Sequence, residues 1–351
     1  MANFGSDNAA GIHPLILESL ARASAGNASA YGEDALSKRV DKRFSNLFEC
    51  ECSVLLVSTG TAANSIALAA LCPPYGAFFS HDEAHIANDE STAPELFTGG
   101  ARQLSVGGED AKPSIAELRA LIQTASSRGV HSILPSVLAL SNLTELGARM
   151  SPDELKAYRE LADEFDLKLM VDGARFSNAV VGGTDSPADL TWRSGVDVLC
   201  FGATKNGAMA AEAIVFFNKA AALHAERIRK RGGHLWSKHR FLAAQFDAFL
   251  GDDLWLANAR HANQMGQSLR RQLQATPGIE FASSSEANEL FVRMPKAWAE
   301  ALWERGHAFY EWPSLNSTYR LVTSFTTEQT EVDGFCADLR AVATDSEFWV
   351  R

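Results

Sequence analysis

Lys168-Leu169-Met170-Val171 runs directly into Asp172-Gly173-Ala174-Arg175, and Asp197-Val198-Leu199-Cys200-Phe201 runs into Gly202-Ala203-Thr204-Lys205-Asn206-Gly207. Two short apolar runs, each closed by a glycine-containing turn, read as buried strands of a parallel sheet. Each delivers one reactive side chain at or just past its carboxyl end: a carboxylate from the first, an amine from the second. In open α/β sheets that edge is where ligands bind. A lysine can form a Schiff base with an aldehyde, and a nearby carboxylate can keep a pyridine nitrogen protonated. The pair therefore predicts pyridoxal 5'-phosphate (PLP) chemistry.

The flanking sequence repeats the pattern. Residues 54–57 form a β-type run that breaks into Ser58-Thr59-Gly60-Thr61-Ala62-Ala63-Asn64, followed by an Ala/Leu-rich helix through Leu71. Free N–H groups at such a helix start, the Thr61 hydroxyl and the small Gly60 make an anion site. No Gly-Lys-Ser/Thr follows, so a nucleoside triphosphate is not implied. Residues 77–80 form the next strand, leading into His81-Asp82-Glu83-Ala84-His85. The zincin pattern puts Glu directly after the first His, and Asp82 stands there, so no metal is predicted. What remains open is exposed loop histidines or one imidazole stacked on an aromatic ligand. Residues 131–140 are strand-like and end in Ser141-Asn142-Leu143-Thr144-Glu145. Thr61, His85, Asn142, Asp172 and Lys205 thus all follow predicted strands and converge on one sheet edge.

Between the strands lie helices: residues 14–25, 35–48 with Asp34 as N-cap, 114–125, and one opened by Ser151-Pro152-Asp153-Glu154. A further strand covers 213–217. The basic run Arg227-Ile228-Arg229-Lys230-Arg231 reads either as a solvated helix face or as a pocket for a phosphate. After helices at 241–250 and 254–275, short strands (289–293, 319–323) alternate with helices (297–305, 328–342). The expected organisation is a large α/β domain with a mostly parallel, helix-covered sheet over residues 1–250, carrying an N-terminal arm. A small α+β domain is expected over residues 251–351.

Composition sets outer limits. The 351 residues are 46% apolar and 21% charged with a net charge of −11. That suits a soluble globular protein and argues against a nucleic-acid partner, which needs clustered cations. No run approaches the ~18 apolar residues of a membrane span, and the first residues carry neither the basic nor the apolar region of a secretory signal. Five cysteines, an odd number, fit buried thiols in a reducing compartment better than a disulfide framework. A cytoplasmic protein without a membrane partner is expected.

In order along the chain, Ser6-Asp7-Asn8, Tyr31-Gly32-Glu33-Asp34, the 58–64 turn, His85, Asp172-Gly173-Ala174-Arg175, Thr204-Lys205-Asn206-Gly207 and Arg320-Leu321-Val322-Thr323 resemble the low-specificity L-threonine aldolases. These belong to the fold-type I PLP enzymes, the aspartate aminotransferase superfamily, and the likeness spans nearly the whole chain. It implies Lys205 as the Schiff-base lysine and Asp172 as partner of the pyridine nitrogen. His85 would lie against the cofactor ring and is the candidate base. Gly60, Thr61 and Thr204 would contact the phosphate, and Arg175 would sit beside the cofactor. Ser6, Arg175 and Arg320 would clamp the substrate carboxylate, with Tyr31 also counted among the substrate-binding residues. Tyr31, and part of the basic run, would lie where subunits meet, in a homodimer or homotetramer with its active site at the interface. The implied reaction cleaves the Cα–Cβ bond of threonine, allo-threonine or related β-hydroxy amino acids, aryl-serines included, giving glycine and an aldehyde. Two departures stand out: many relatives carry Thr-His-Asn after the fourth strand, where this chain has Asn142-Leu143-Thr144-Glu145, and many have Ser where Thr204 stands. A β-eliminating lyase or aminotransferase would use the same lysine and aspartate, and a catalytically silent scaffold of this fold is a further alternative.

Overall fold

In the computed structural model of the chain, residues 1–344 are described. The stretch 251–351, expected to form a small domain, is described as far as 344, and residues 345–351 lie outside the described residues.

Seven strands form one sheet: β1 (Ser53–Val57), β2 (Gly76–His81), β3 (Arg102–Val106), β4 (Leu134–Ser141), β5 (Lys168–Gly173), β6 (Val198–Gly202) and β7 (Glu212–Phe216). Their order is β1-β7-β6-β5-β4-β2-β3. From β6 to β3 all neighbours are parallel, while β7 runs antiparallel to both β6 and β1. The double reversal leaves β1 parallel to β6. The carboxyl ends of β1, β2, β4, β5 and β6 therefore share one edge.

Side chains alternate between two buried faces, which is why the strands read as near-continuous apolar runs. Leu169, Val171, Leu199, Phe201, Ala213 and Val215 enter one core with the helices Ala35–Leu47, Pro152–Glu164 and Arg240–Phe249. Met170, Val198, Cys200, Ile214 and Phe216 enter the other, under Gly60–Leu71 and Lys219–Arg231. The small side chains of Gly60–Leu71 let that helix sit directly on the sheet; Ala62, Ala63, Ile66, Ala67 and Leu68 are all buried there.

A second, antiparallel sheet has the order β10-β11-β9-β8, from β8 (Glu280–Phe281), β9 (Glu289–Arg293), β10 (Tyr310–Glu311) and β11 (Thr318–Val322). Leu290, Val292, Tyr319 and Leu321 share a core with the apolar side chains of the helices Lys296–Glu304 and Gln329–Thr344. By alternation Glu289, Phe291 and Arg320 fall on the opposite face. The 21-residue helix Leu254–Gln274 joins the two units, with Trp255 in the large core and Leu269 and Leu273 in the small one. The N-terminal arm lies with the small sheet: Phe4 is 1% exposed, its N–H bonds Ala308 O and its carbonyl accepts from Val322 N. No helix among the described residues is long and apolar enough to cross a membrane.

Candidate active site

A cavity of about 310 Å³ opens over the shared strand edge. Asp172, Lys205, His85, Gly60, Thr61, Thr204, Arg175 and Arg320 all line it. Ser6 and Tyr31 are not among its lining residues.

Asp172 points to the face covered by the helix Gly60–Leu71. Its Oδ2 accepts from Asn64 Nδ2 at 2.7 Å and its Oδ1 from Ala174 N at 2.9 Å, which holds the carboxylate still. The same Asn64 amide donates to Glu90 Oε1 at 2.8 Å. Glu90 in turn lies 2.8 Å from His85 Nδ1, so one buried carboxylate orients the imidazole and leaves Nε2 without a partner among the described residues. Burial alone would lower the His85 pKa, but the bond to Glu90 and the field of Asp172 outweigh it and raise it. His81 differs: its Nδ1 accepts from Glu83 N and its Nε2 meets Gly108 O, so the second histidine serves the turn.

At the start of Gly60–Leu71, Thr59 caps the helix by accepting from Ala62 N at 3.2 Å. Thr61 lines the cavity with no hydroxyl partner among the described residues. A Cβ placed on Gly60 would meet nothing within 4 Å beyond its own chain neighbours, so this turn cradles open space. Thr204 is engaged differently: its hydroxyl donates to Glu212 Oε1 at 2.5 Å and accepts from Ala211 N at 3.1 Å. Burial raises the Glu212 carboxyl to about 7. The turn carrying Lys205 is braced from behind, where Asn206 Nδ2 donates to Trp255 O and Asn258 Nδ2 to Asn206 O.

Arg175 is held by carboxylates from distant parts of the chain. Asp7 takes its Nε and Nη2 in a fork at 2.7 and 2.9 Å, and Glu289 lies 3.1 Å from Nη1. Burial works against the Arg175 charge, but Asp7 and Glu289 raise its pKa. Arg320 lies 3.9 Å from Glu289, donates to Gly5 O at 3.2 Å and sits 5.3 Å from the Trp312 ring centroid. Its Nε is buried without a partner among the described residues. Ser6 caps the short turn Asp7–Ala9, accepting from Asn8 N at 3.2 Å. Tyr31 is 49% exposed, with Lys230 Nζ 4.9 Å from its ring centre.

Sequence reasoning missed the parts played by four carboxylates: Glu90, Glu145, Glu212 and Glu289. Of these, Glu212 and Glu289 leave a signal, each being a carboxylate that opens a strand and runs straight into three or more apolar residues. Asn142 serves the backbone; its side chain bonds both Met150 N and Met150 O.

A mostly parallel seven-stranded sheet with a lysine and an aspartate at its carboxyl edge, faced by a small antiparallel sheet, is the fold-type I arrangement of PLP enzymes. Residues 3–297 match the beta-eliminating lyase family. The low specificity L-threonine aldolases of Pseudomonas sp. and Pseudomonas aeruginosa are each 40% identical over 339 residues, 97% of this chain and 97% of theirs. A solved threonine aldolase from Leishmania major superposes with a TM-score of 0.91 at 28% identity, over 98% of this chain and 100% of that one. The chain belongs to the low specificity L-threonine aldolase family, within the beta-eliminating lyases.

Proposed function

We propose that this protein is a PLP-dependent aldolase that cleaves L-threonine, L-allo-threonine and related β-hydroxy-α-amino acids to glycine and an aldehyde. The observation that carries the reading is the meeting of Lys205, Asp172, His85, Arg175 and Arg320 around one cavity. The cofactor fits the residues present. The open cradle at Gly60 and the free Thr61 hydroxyl suit its phosphate, and the fixed Asp172 carboxylate suits a protonated ring nitrogen. Lys205 Nζ is the amine that would anchor its aldehyde. When bound, PLP supplies a conjugated cationic ring able to withdraw electrons from Cα.

The protein's own side chains do the rest. Asp172 would keep a proton on the cofactor's ring nitrogen, and His85, oriented by Glu90, would lie against its ring. Arg175 and Arg320 bind the substrate carboxylate; the buried, unpartnered Nε of Arg320 is a donor in want of an acceptor. Asp7 fixes the Arg175 fork in place before any substrate arrives. The same reading makes the protein a homodimer or homotetramer, with Tyr31 and Lys230 at the subunit boundary; their exposed pairing outside the cavity supports that.

Purified protein should release glycine and the matching aldehyde from L-threonine, L-allo-threonine and L-phenylserine, and release should depend on added PLP. Formation of a keto acid and ammonia instead would mark a β-eliminating lyase. Lys205→Ala should lose the visible absorbance of the PLP-loaded protein; persistence of that band would remove Lys205 from its role.

A further inference from the structure

The loop after β4 carries no histidine over residues 142–150, yet it brings a different proton acceptor to the cavity. Asn142 folds the loop on itself through Met150, and Glu145 lines the cavity beside Ser141, Leu143 and Thr144. Glu145 Oε1 accepts from Ser141 Oγ at 2.6 Å and from the His85 N–H at 3.0 Å. These two bonds set the carboxyl plane from one side. Both fall on Oε1 and neither engages Oε2, while the residue as a whole lines the cavity.

The other candidate acceptor is poorly placed to serve. His85 Nδ1 bonds Glu90, and the polar atoms of His85, Glu90 and Asp172 lie within 4.8 Å of one another. With Nδ1 committed to Glu90 and the field of Asp172 favouring the charged form, the imidazole is a weaker proton acceptor than an unengaged one. We propose that Glu145 Oε2 takes the β-hydroxyl proton of the substrate, an assignment that rests on the aldolase reading above. The proton passes from the β-oxygen to the carboxylate, and the O–H electron pair becomes the second C–O bond of the aldehyde. The Cα–Cβ pair stays on the glycine fragment, whose Cα takes up one proton while Glu145 gives one back, so that charge and atoms balance.

The surroundings suit the task. The groups that face the Glu145 carboxyl are the Ser141 hydroxyl from the end of β4, the His85 N–H from the turn after β2, its own backbone N–H, and the Asp172 carboxylate from the end of β5. Burial lifts the Glu145 carboxyl to about 7, against the pull of hydrogen bonds from Ser141, the His85 N–H and its own backbone N–H. A base balanced near the working pH is the efficient kind.

Glu145→Gln keeps an oxygen for Ser141 and for the His85 N–H while removing the proton acceptor. In PLP-loaded protein we expect it to cut kcat for L-threonine by about 100-fold or more. Glycine has no β-hydroxyl, so its affinity, read as the change in cofactor absorbance on titration, should stay within about threefold of the unaltered protein. Glu145→Asp retains a carboxylate and should turn over at least about tenfold faster than Glu145→Gln. The proposal is overturned if Glu145→Gln keeps kcat within about threefold, if the Asp and Gln variants are equally slow, or if glycine affinity falls along with kcat. Should the unaltered protein release no glycine and aldehyde from any β-hydroxy amino acid, the aldolase reading fails first, and that control is run beside the variants.

Discussion

Glu212 sits one hydrogen bond from Thr204, next to the lysine, and burial decides its state. Its carboxyl is raised from 4.5 to about 7, so between those values the folded chain binds a proton that the unfolded chain has released. Stability therefore falls as pH rises through that window, and the cost is fully present above about 7. Glu212→Gln removes this dependence while keeping an acceptor for the Thr204 hydroxyl. In cofactor-free protein, the stability of the variant relative to the parent should climb on the order of 3 kcal/mol between about pH 4.5 and about pH 8. Denaturant unfolding across that range would measure it, and a flat difference would sink the idea. Asn64 shows the same scale from another angle. One amide nitrogen joins Asp172, 108 positions away, and Glu90, 26 positions away, so a single side chain aligns the Asp172 carboxylate and the carboxylate that supports the His85 imidazole.

At the scale of elements, local chemistry sets where helices begin. Ser151 accepts from Glu154 N, and Glu154 Oε2 accepts from Ser151 N at 2.7 Å, a complete capping box at the head of Pro152–Glu164. Ser151→Ala should cost about 1 kcal/mol of stability. The residue lies outside the cavity lining, so kcat should not change; a shift in kcat with unaltered stability would contradict this division of labour. The helix Gly60–Leu71 is the contrasting case. Its cap is equally local, but its placement comes from alanines that let it press onto the sheet, which aims its free N–H groups at the cavity. Strand β3 has neither kind of signal. Arg102-Gln103-Leu104-Ser105-Val106 lies at the sheet edge with only Val106 buried, and without a continuous apolar run it is silent in the sequence.

At the scale of the whole molecule, the arm decides how the two units share the site. Phe4 packs with Leu290, Tyr319 and Phe335 in the small core, and a few residues later Asp7 reaches Arg175, 168 positions downstream. The arm thus couples the packing of the small sheet to the placement of the Arg175 guanidinium. Phe4→Ala should destabilise the protein by about 3 to 5 kcal/mol, and it should also raise KM for L-threonine because Asp7 loses its anchor. Urea unfolding and steady-state kinetics test the pair; a stability loss below about 1 kcal/mol with unchanged KM would show the arm to be passive.

By itself the sequence determined the strands around Asp172 and Lys205, the capped helices, and the shared edge to which Thr61, His85, Asp172 and Lys205 are delivered. These follow from short-range causes: apolar period, glycine turns and side-chain caps act within a few residues and leave their mark on the string. Only the tertiary structure decided that β7 inserts antiparallel between β1 and β6, and that Asp7 and Glu289 meet at Arg175. It alone paired His85 with Glu90 and set Glu145 and Glu212 in the cavity wall. Arg175 and its two carboxylates are far apart in the sequence, and the burial that shifts the carboxyls of Glu145 and Glu212 exists only once the chain has closed around them.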